Sequence, residues 1–127
     1  MIVFTNAQVF DGLNNRLTAA SVVVDGERIQ SVSDAPPPPG AEVVDCGGRV
    51  LMPGLIDAHI HAYFYDMNVN RLQHMPVTMY AHHAANMLRD MLDRGFTSVR
   101  DTGGADYGLW LAIQKGLITA PRLYYCE

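Results

Sequence analysis

Paired cysteines are missing from this chain: Cys46 and Cys126 lie far apart in 127 residues, with no repeated spacing. That excludes a disulfide framework and suits reduced thiols in a cytoplasmic protein. Concentrated positive charge is missing too. Nine Lys and Arg are scattered among thirteen Asp and Glu, giving a net charge of −4 and a pI near 5.6. Without a basic patch, neither nucleic acid nor an anionic membrane surface is an expected partner. No apolar run approaches the roughly 18–20 residues that span a bilayer. The opening Met1-Ile2-Val3-Phe4-Thr5-Asn6 has no basic stretch and reaches Asp11 too early for a secretory signal. What is present, 49% apolar against 17% charged residues, is ordinary for a folded globular chain and too apolar for disorder. The length predicts one domain, or two small pieces if the composition changes.

It changes near residue 53. Residues 1–52 are β-formers broken by turn-formers. Met1 to Phe10 ends at Asp11-Gly12. Ser21-Val22-Val23-Val24 meets Asp25-Gly26 and continues as Arg28-Ile29-Gln30-Ser31-Val32, which predicts a hairpin whose glycine takes the positive φ of a type I′ turn. Pro36 to Pro39 lack the donors for a ladder and form a rigid connection. Val43 to Cys46 and Arg49 to Met52 read as short strands split by Gly47-Gly48. From Pro53 onward the order is strand, loop, helix, strand, helix, strand. Ala81, Ala84, Ala85, Leu88, Met91 and Leu92 fall on one helical face, stopped by Gly95. Phe96 to Arg100 is the next strand, Asp106 to Lys115 a second helix, and Arg122 to Cys126 a third strand. Strands alternating with helices predict a parallel sheet with right-handed crossovers. Three such strands leave edges unpaired, and a whole (β/α)₈ barrel needs roughly 200 residues or more. The expected class is therefore α/β, with a sheet unit in 1–52 and a parallel strand–helix unit that looks cut short in 53–127.

The chemistry concentrates in Pro53-Gly54-Leu55-Ile56-Asp57-Ala58-His59-Ile60-His61. Strict alternation puts Leu55, Asp57, His59 and His61 on one face and the apolar Ile56, Ala58 and Ile60 on the other. In a barrel the apolar set packs outward against helices, and the polar set points inward at the strand's C-terminal end, where active sites form. His59 and His61 have Cα atoms roughly 6.5–7 Å apart, so both imidazoles can reach one cation at about 2.0–2.1 Å. Asp57, roughly 13 Å from His61, is too distant to join both and is expected to orient an imidazole. A His-x-His pair is common by chance, but a polar cluster on an apolar core strand is costly without partners. Two histidines still do not complete a zinc site.

These stretches carry a resemblance. Asn6 to Gly12, Val24 to Ile29 and Pro53 to His61 resemble the opening of the amidohydrolase superfamily. Gly95-Phe96-Thr97-Ser98-Val99-Arg100-Asp101-Thr102-Gly103-Gly104 and Ala120-Pro121-Arg122-Leu123 resemble its imidazolonepropionase-like and Xaa-Pro dipeptidase (prolidase-like) branch. The resemblance implies the N-terminal part of a small β-sandwich followed by the first strands and helices of a (β/α)₈ TIM barrel, the sandwich being completed by C-terminal residues. It implies His59 and His61 as metal ligands, typically to zinc, with one or two divalent ions in the complete enzyme. It also implies a carboxylated lysine, two further histidines and an aspartate from later strands. That aspartate, the general base, lies beyond residue 127, so no catalytic residue is expected within the chain. The implied reaction is hydrolysis of an amide or peptide-type C–N bond, Xaa-Pro or N-acyl amino acid substrates included, by metal-activated water. The 127 residues by themselves are expected to be inactive. Dihydroorotase-like members carry an arginine two places after the second histidine; here that place is Tyr63. Tyr63 and His74, in the 62–78 loop, are candidate pocket residues, whereas His82 and His83 are expected at a solvated rim. Asp101 closes the second barrel strand, where it can orient a ligand or make a turn. The competing reading is a non-catalytic piece that assembles with a complementary chain or with its own copies through an open sheet edge.

Overall fold

A computed structural model describes residues 1–126. The chain forms two compact units, Met1–Pro53 and a second beginning at Gly54.

The first unit is one sheet built from β1 (Ile2–Val9), β2 (Thr18–Asp25), β3 (Arg28–Ser33), β4 (Glu42–Asp45) and β5 (Val50–Leu51). The order is β3-β2-β1-β4, with β5 pairing β1 beyond β4. β2 runs antiparallel to both neighbours, while β4 and β5 run parallel to β1. Asp25 pairs Arg28, so the hairpin loop is Gly26-Glu27, and Gly26 has φ +57. Among the described residues Asn6 is the one non-glycine with positive φ, so Glu27 is ordinary. A positive φ at the first central position alone is the type II′ pattern, not the type I′ turn expected from Asp25-Gly26. Residues 1–10 are also not one plain strand. The ladder with β2 shifts between Phe4 and Ala7, and Asn6 takes φ +52 there. Its Nδ2 donates to Asp45 Oδ1 at 3.0 Å, pinning the bulge where β1 passes from β4 to β5. Val3, Ala7, Val22 and Val23 are buried, while Phe4, Val9, Val24, Ile29 and Val32 line an open apolar groove of about 470 Å³.

The second unit runs β6 (Leu55–Ile60), α1 (Val69–Gln73), α2 (Val77–Asp93), β7 (Phe96–Asp101), α3 (Tyr107–Gln114) and β8 (Arg122–Tyr125). The three strands are parallel in the order β6-β7-β8, as alternating strands and helices require. From the expected helical stripe, Ala84, Leu88 and Met91 are buried. They pack with Ile60, Val99, Leu109 and Leu123 in one core. Burying a side chain such as Leu88 contributes about 2 kcal/mol. α2 stops where Gly95, at φ +94, donates its N–H to the Leu92 carbonyl. α3 starts at Asp106, whose carboxylate accepts the Leu109 N–H at 2.8 Å. The short α1, capped by Asn68, interrupts a stretch expected to be loop throughout. Among the described residues no helix is long and apolar enough to cross a membrane.

Candidate metal centre

Strict alternation fails along β6. Between Asp57 and Ile60 the strand takes three steps, while the paired residues Val99 and Asp101 of β7 are two apart. The extra residue makes a bulge, and across it Asp57 falls on the face of Ile60. Asp57 nonetheless lines one groove with His59 and His61. Its Oδ1 accepts the backbone N–H of His59 at 3.1 Å, so it supports the irregular step of the main chain and not an imidazole ring. The apolar set is split as well: Ile60 enters the core, but Ile56 is 74% exposed and Ala58 is exposed. The cause is the second register shift, whose extra residue lies in β6 between Asp57 and Ile60 and inverts the side to which Ile60 points; the first shift has its extra residue, Thr97, in β7.

The histidine pair stands together at the end of the strand. The rings of His59 and His61 lie 5.2 Å apart, edge to face at 78°. Two imidazoles bound to one tetrahedral zinc at about 2.0–2.1 Å hold their ring centroids roughly 5 Å apart, so the donor pair fits one cation. Phe64 stacks on His61 with centroids 4.5 Å apart and 17° between planes. His61 Nδ1 lies 2.8 Å from the carbonyl oxygen of Gly103; the carbonyl accepts, so Nδ1 carries the proton. Both rings open into a groove of about 450 Å³ shared with Phe64, Met87, Met91 and Phe96. Among the described residues no group of three or more His, Cys, Asp or Glu side chains could hold a metal ion.

Asp101 is fully buried at the end of β7. Its Oδ2 accepts the Ala62 N–H at 2.7 Å and its Oδ1 the Gly103 N–H at 2.8 Å. The ends of β6 and β7 are tied further by the Thr102 N–H, which donates to the Ile60 carbonyl at 3.0 Å. Tyr63, Phe64, Leu72, Val77, Tyr80 and Asp106 line a neighbouring cavity of about 320 Å³. The Tyr63 hydroxyl donates to Asp106 Oδ1 at 3.0 Å, and its ring lies 5.1 Å from that of Tyr80. Burial, followed by this bond to a carboxylate, pushes the Tyr63 phenol above its ordinary pKa of 10.0.

The other histidines are elsewhere. His74 ends α1 with Nδ1 donating to the Asn70 carbonyl at 2.7 Å, and the cavity beside Tyr63 is lined by its neighbours Leu72 and Gln73 instead. A helix end has free carbonyls, and one of them has captured the ring. His82 and His83 lie on α2, and His83 meets Tyr65 edge to face at 5.3 Å. Sequence reasoning missed Phe64 and the Gly103 carbonyl. The clustered Asp101-Thr102-Gly103-Gly104 marked a turn at that strand end, but not the ring it would meet.

Residues 50–126 match the model of the amidohydrolase family. The chain belongs to the amidohydrolase family. It is 32% identical over 111 residues to an imidazolonepropionase of Thermoplasma acidophilum, a match covering 78% of this chain and 25% of that protein. A dihydroorotase of Streptococcus pyogenes is 36% identical over 61 residues, 48% of this chain and 14% of that one. A prolidase solved with N-methylphosphonate-L-proline superposes with a TM-score of 0.91 at 39% identity, covering 98% of this chain and 31% of the prolidase. The chain thus spans about a quarter of the imidazolonepropionase and a third of the prolidase, and less of the dihydroorotase; β6 to β8 reproduce the opening barrel strands and helices of the prolidase.

Proposed function

We propose that this chain contributes the first metal-ligating strand of a divalent-metal-dependent amidohydrolase that cleaves an amide or peptide-type C–N bond. The observation that carries the reading is the His59–His61 pair, 5.2 Å apart at the C-terminal end of β6. Each would hold the metal, typically zinc, through an imidazole nitrogen. A divalent ion held there lowers the pKa of a water molecule and polarises a carbonyl. Hydrogen bonding of His61 Nδ1 to Gly103 leaves Nε2 as its ligating nitrogen, and stacking on Phe64 limits rotation of the ring. The adjacent cavity, walled by Tyr63, Phe64 and Tyr80, suits an uncharged substrate group. Likeness to the prolidase favours small acyl-amino-acid or Xaa-Pro substrates. The thiols of Cys46 and Cys126 are free, which supports a reducing, cytoplasmic setting.

Zinc titration of the full-length protein, in which later strands add the further ligands that two histidines need, followed by calorimetry, tests the reading. Wild type should bind zinc, and His59→Ala and His61→Ala should each weaken binding more than about tenfold. Equal affinity in all three overturns it. Release of proline from Xaa-Pro dipeptides by the full-length protein tests the substrate class.

A second reading, assembly with a complementary chain or with further copies, is favoured by Ile56, 74% exposed on the edge strand β6. Light scattering should then give a mass above 14.0 kDa. A monomer at every concentration removes this reading.

A further inference from the structure

We infer that Asp101 is a positioning residue for His61, acting through the Gly103 carbonyl to hold the Nδ1–H on that carbonyl and so select Nε2 as the ligating nitrogen. One carboxylate sets both sides of the frame around this histidine. Through Oδ2 it fixes the N–H of Ala62, the residue that follows His61. Through Oδ1 it fixes the N–H of Gly103, whose own carbonyl takes the His61 proton. The three contacts measure 2.7, 2.8 and 2.8 Å, and the carboxylate is 0% exposed.

A turn alone does not need this arrangement. A neutral side chain with one acceptor would satisfy Gly103 across two residues, as in an Asx turn. Reaching Ala62, 39 residues away in sequence, takes the second oxygen and ties two neighbouring strand ends together. Burying a carboxylate is unfavourable unless its oxygens accept hydrogen bonds, and both do. The tautomer is then set by the hydrogen bond on the opposite side of the ring, which is how a ligating nitrogen is selected. The consequence for metal affinity rests on the proposed function; the tautomer itself does not.

The test is the tautomer of His61 in the ¹⁵N-labelled, metal-free full chain, read from long-range ¹H–¹⁵N correlations. Wild type should show mainly Nδ1–H. Asp101→Asn, which leaves one oxygen for two donors, should move the Nδ1–H to Nε2–H ratio by roughly tenfold, about the worth of one hydrogen bond. Leu88→Ala, a core change that destabilises without touching the frame, should leave the ratio unchanged. Should Asp101→Asn fail to fold, the ratio must instead fall in Asp101→Glu, whose carboxylate sits one methylene further out. A wild-type His61 that is mainly Nε2–H, or a folded Asp101 variant with the wild-type ratio, overturns the inference. Zinc binding by the full-length protein is a separate readout. Failure of the full-length protein to bind zinc, with the tautomer intact in the chain, removes the proposed function and leaves the role of Asp101 standing.

Discussion

The Tyr63 hydroxyl donates to Asp106 Oδ1 at 3.0 Å, and the same oxygen accepts the Leu109 N–H at 2.8 Å. One atom thus caps α3 and anchors the loop that follows the histidine strand. Tyr63→Phe removes only the anchor and should cost about 1 kcal/mol. Asp106→Ala removes both interactions and should cost about 1.5–3 kcal/mol, because the cap alone contributes about 0.5–2. The double variant should be less unstable than the sum, since both changes delete one shared bond. Urea denaturation of the four proteins measures the coupling; strict additivity would show that Tyr63 and Asp106 do not interact.

The same contact gives an alkaline signature. In the folded chain the phenol is harder to ionise, so between its unfolded and folded pKa values the native state binds more protons than the unfolded state. Its contribution to stability is complete below pH 10.0 and is lost as pH rises above that value. Ultraviolet titration should contain a phenolate component above pH 10.0 that Tyr63→Phe abolishes, and thermal midpoints should fall less steeply with alkali in that variant. An unchanged titration curve would contradict the contact.

Local patterns were legible wherever neighbours in sequence are neighbours in space. The Ala84, Leu88 and Met91 stripe, the Gly95 stop and a second helix opening at about Asp106 all follow from helical periodicity and end chemistry. So does the proximity of His59 to His61, two residues apart. The face of Ile60 was not legible, because counting by twos assumes a regular ladder and the shift between Asp57 and Ile60 is set by pairing with β7. Nor was the partner of the His61 ring, which lies 42 residues away. The Asp25-Gly26 step announced its hairpin, yet the turn type depended on Arg28 pairing Asp25, which moved glycine to the first central position.

Gly54 is required by one of those shifts. Leu55 and Ile56 are adjacent, while their partners Phe96 and Ser98 bracket an extra residue, Thr97. A Cβ at Gly54 would collide with Oγ1, Cγ2 and Cβ of Thr97. Gly54→Ala should therefore destabilise by about 1–3 kcal/mol, as overpacking does. Thr97→Gly, added to it, should recover part of the loss. Thermal denaturation decides: a Gly54→Ala midpoint equal to wild type would mean that the two strand starts separate at no cost.

Acid should act on the Asp11 turn of the N-terminal sheet unit only below the ordinary carboxylate range. Asp11 accepts the backbone N–H groups of Asn14 and Leu13 at 2.8 and 2.9 Å and the Asn14 side-chain amide at 2.6 Å. The Asn14 backbone bond is the foremost cause, followed by the Asn14 amide, of a carboxyl pKa lowered from 3.8 to about 2. Because the folded value is the lower one, this turn's contribution is whole above pH 3.8 and disappears as pH falls through about 2. Carboxyl ¹³C titration should find the Asp11 midpoint there. Asn14→Ala deletes the amide and keeps both backbone donors, so its midpoint should rise part of the way toward 3.8 and no further. A midpoint unmoved by Asn14→Ala would show that the backbone donors alone hold the carboxylate; a return to 3.8 would show that the turn itself depends on the Asn14 side chain.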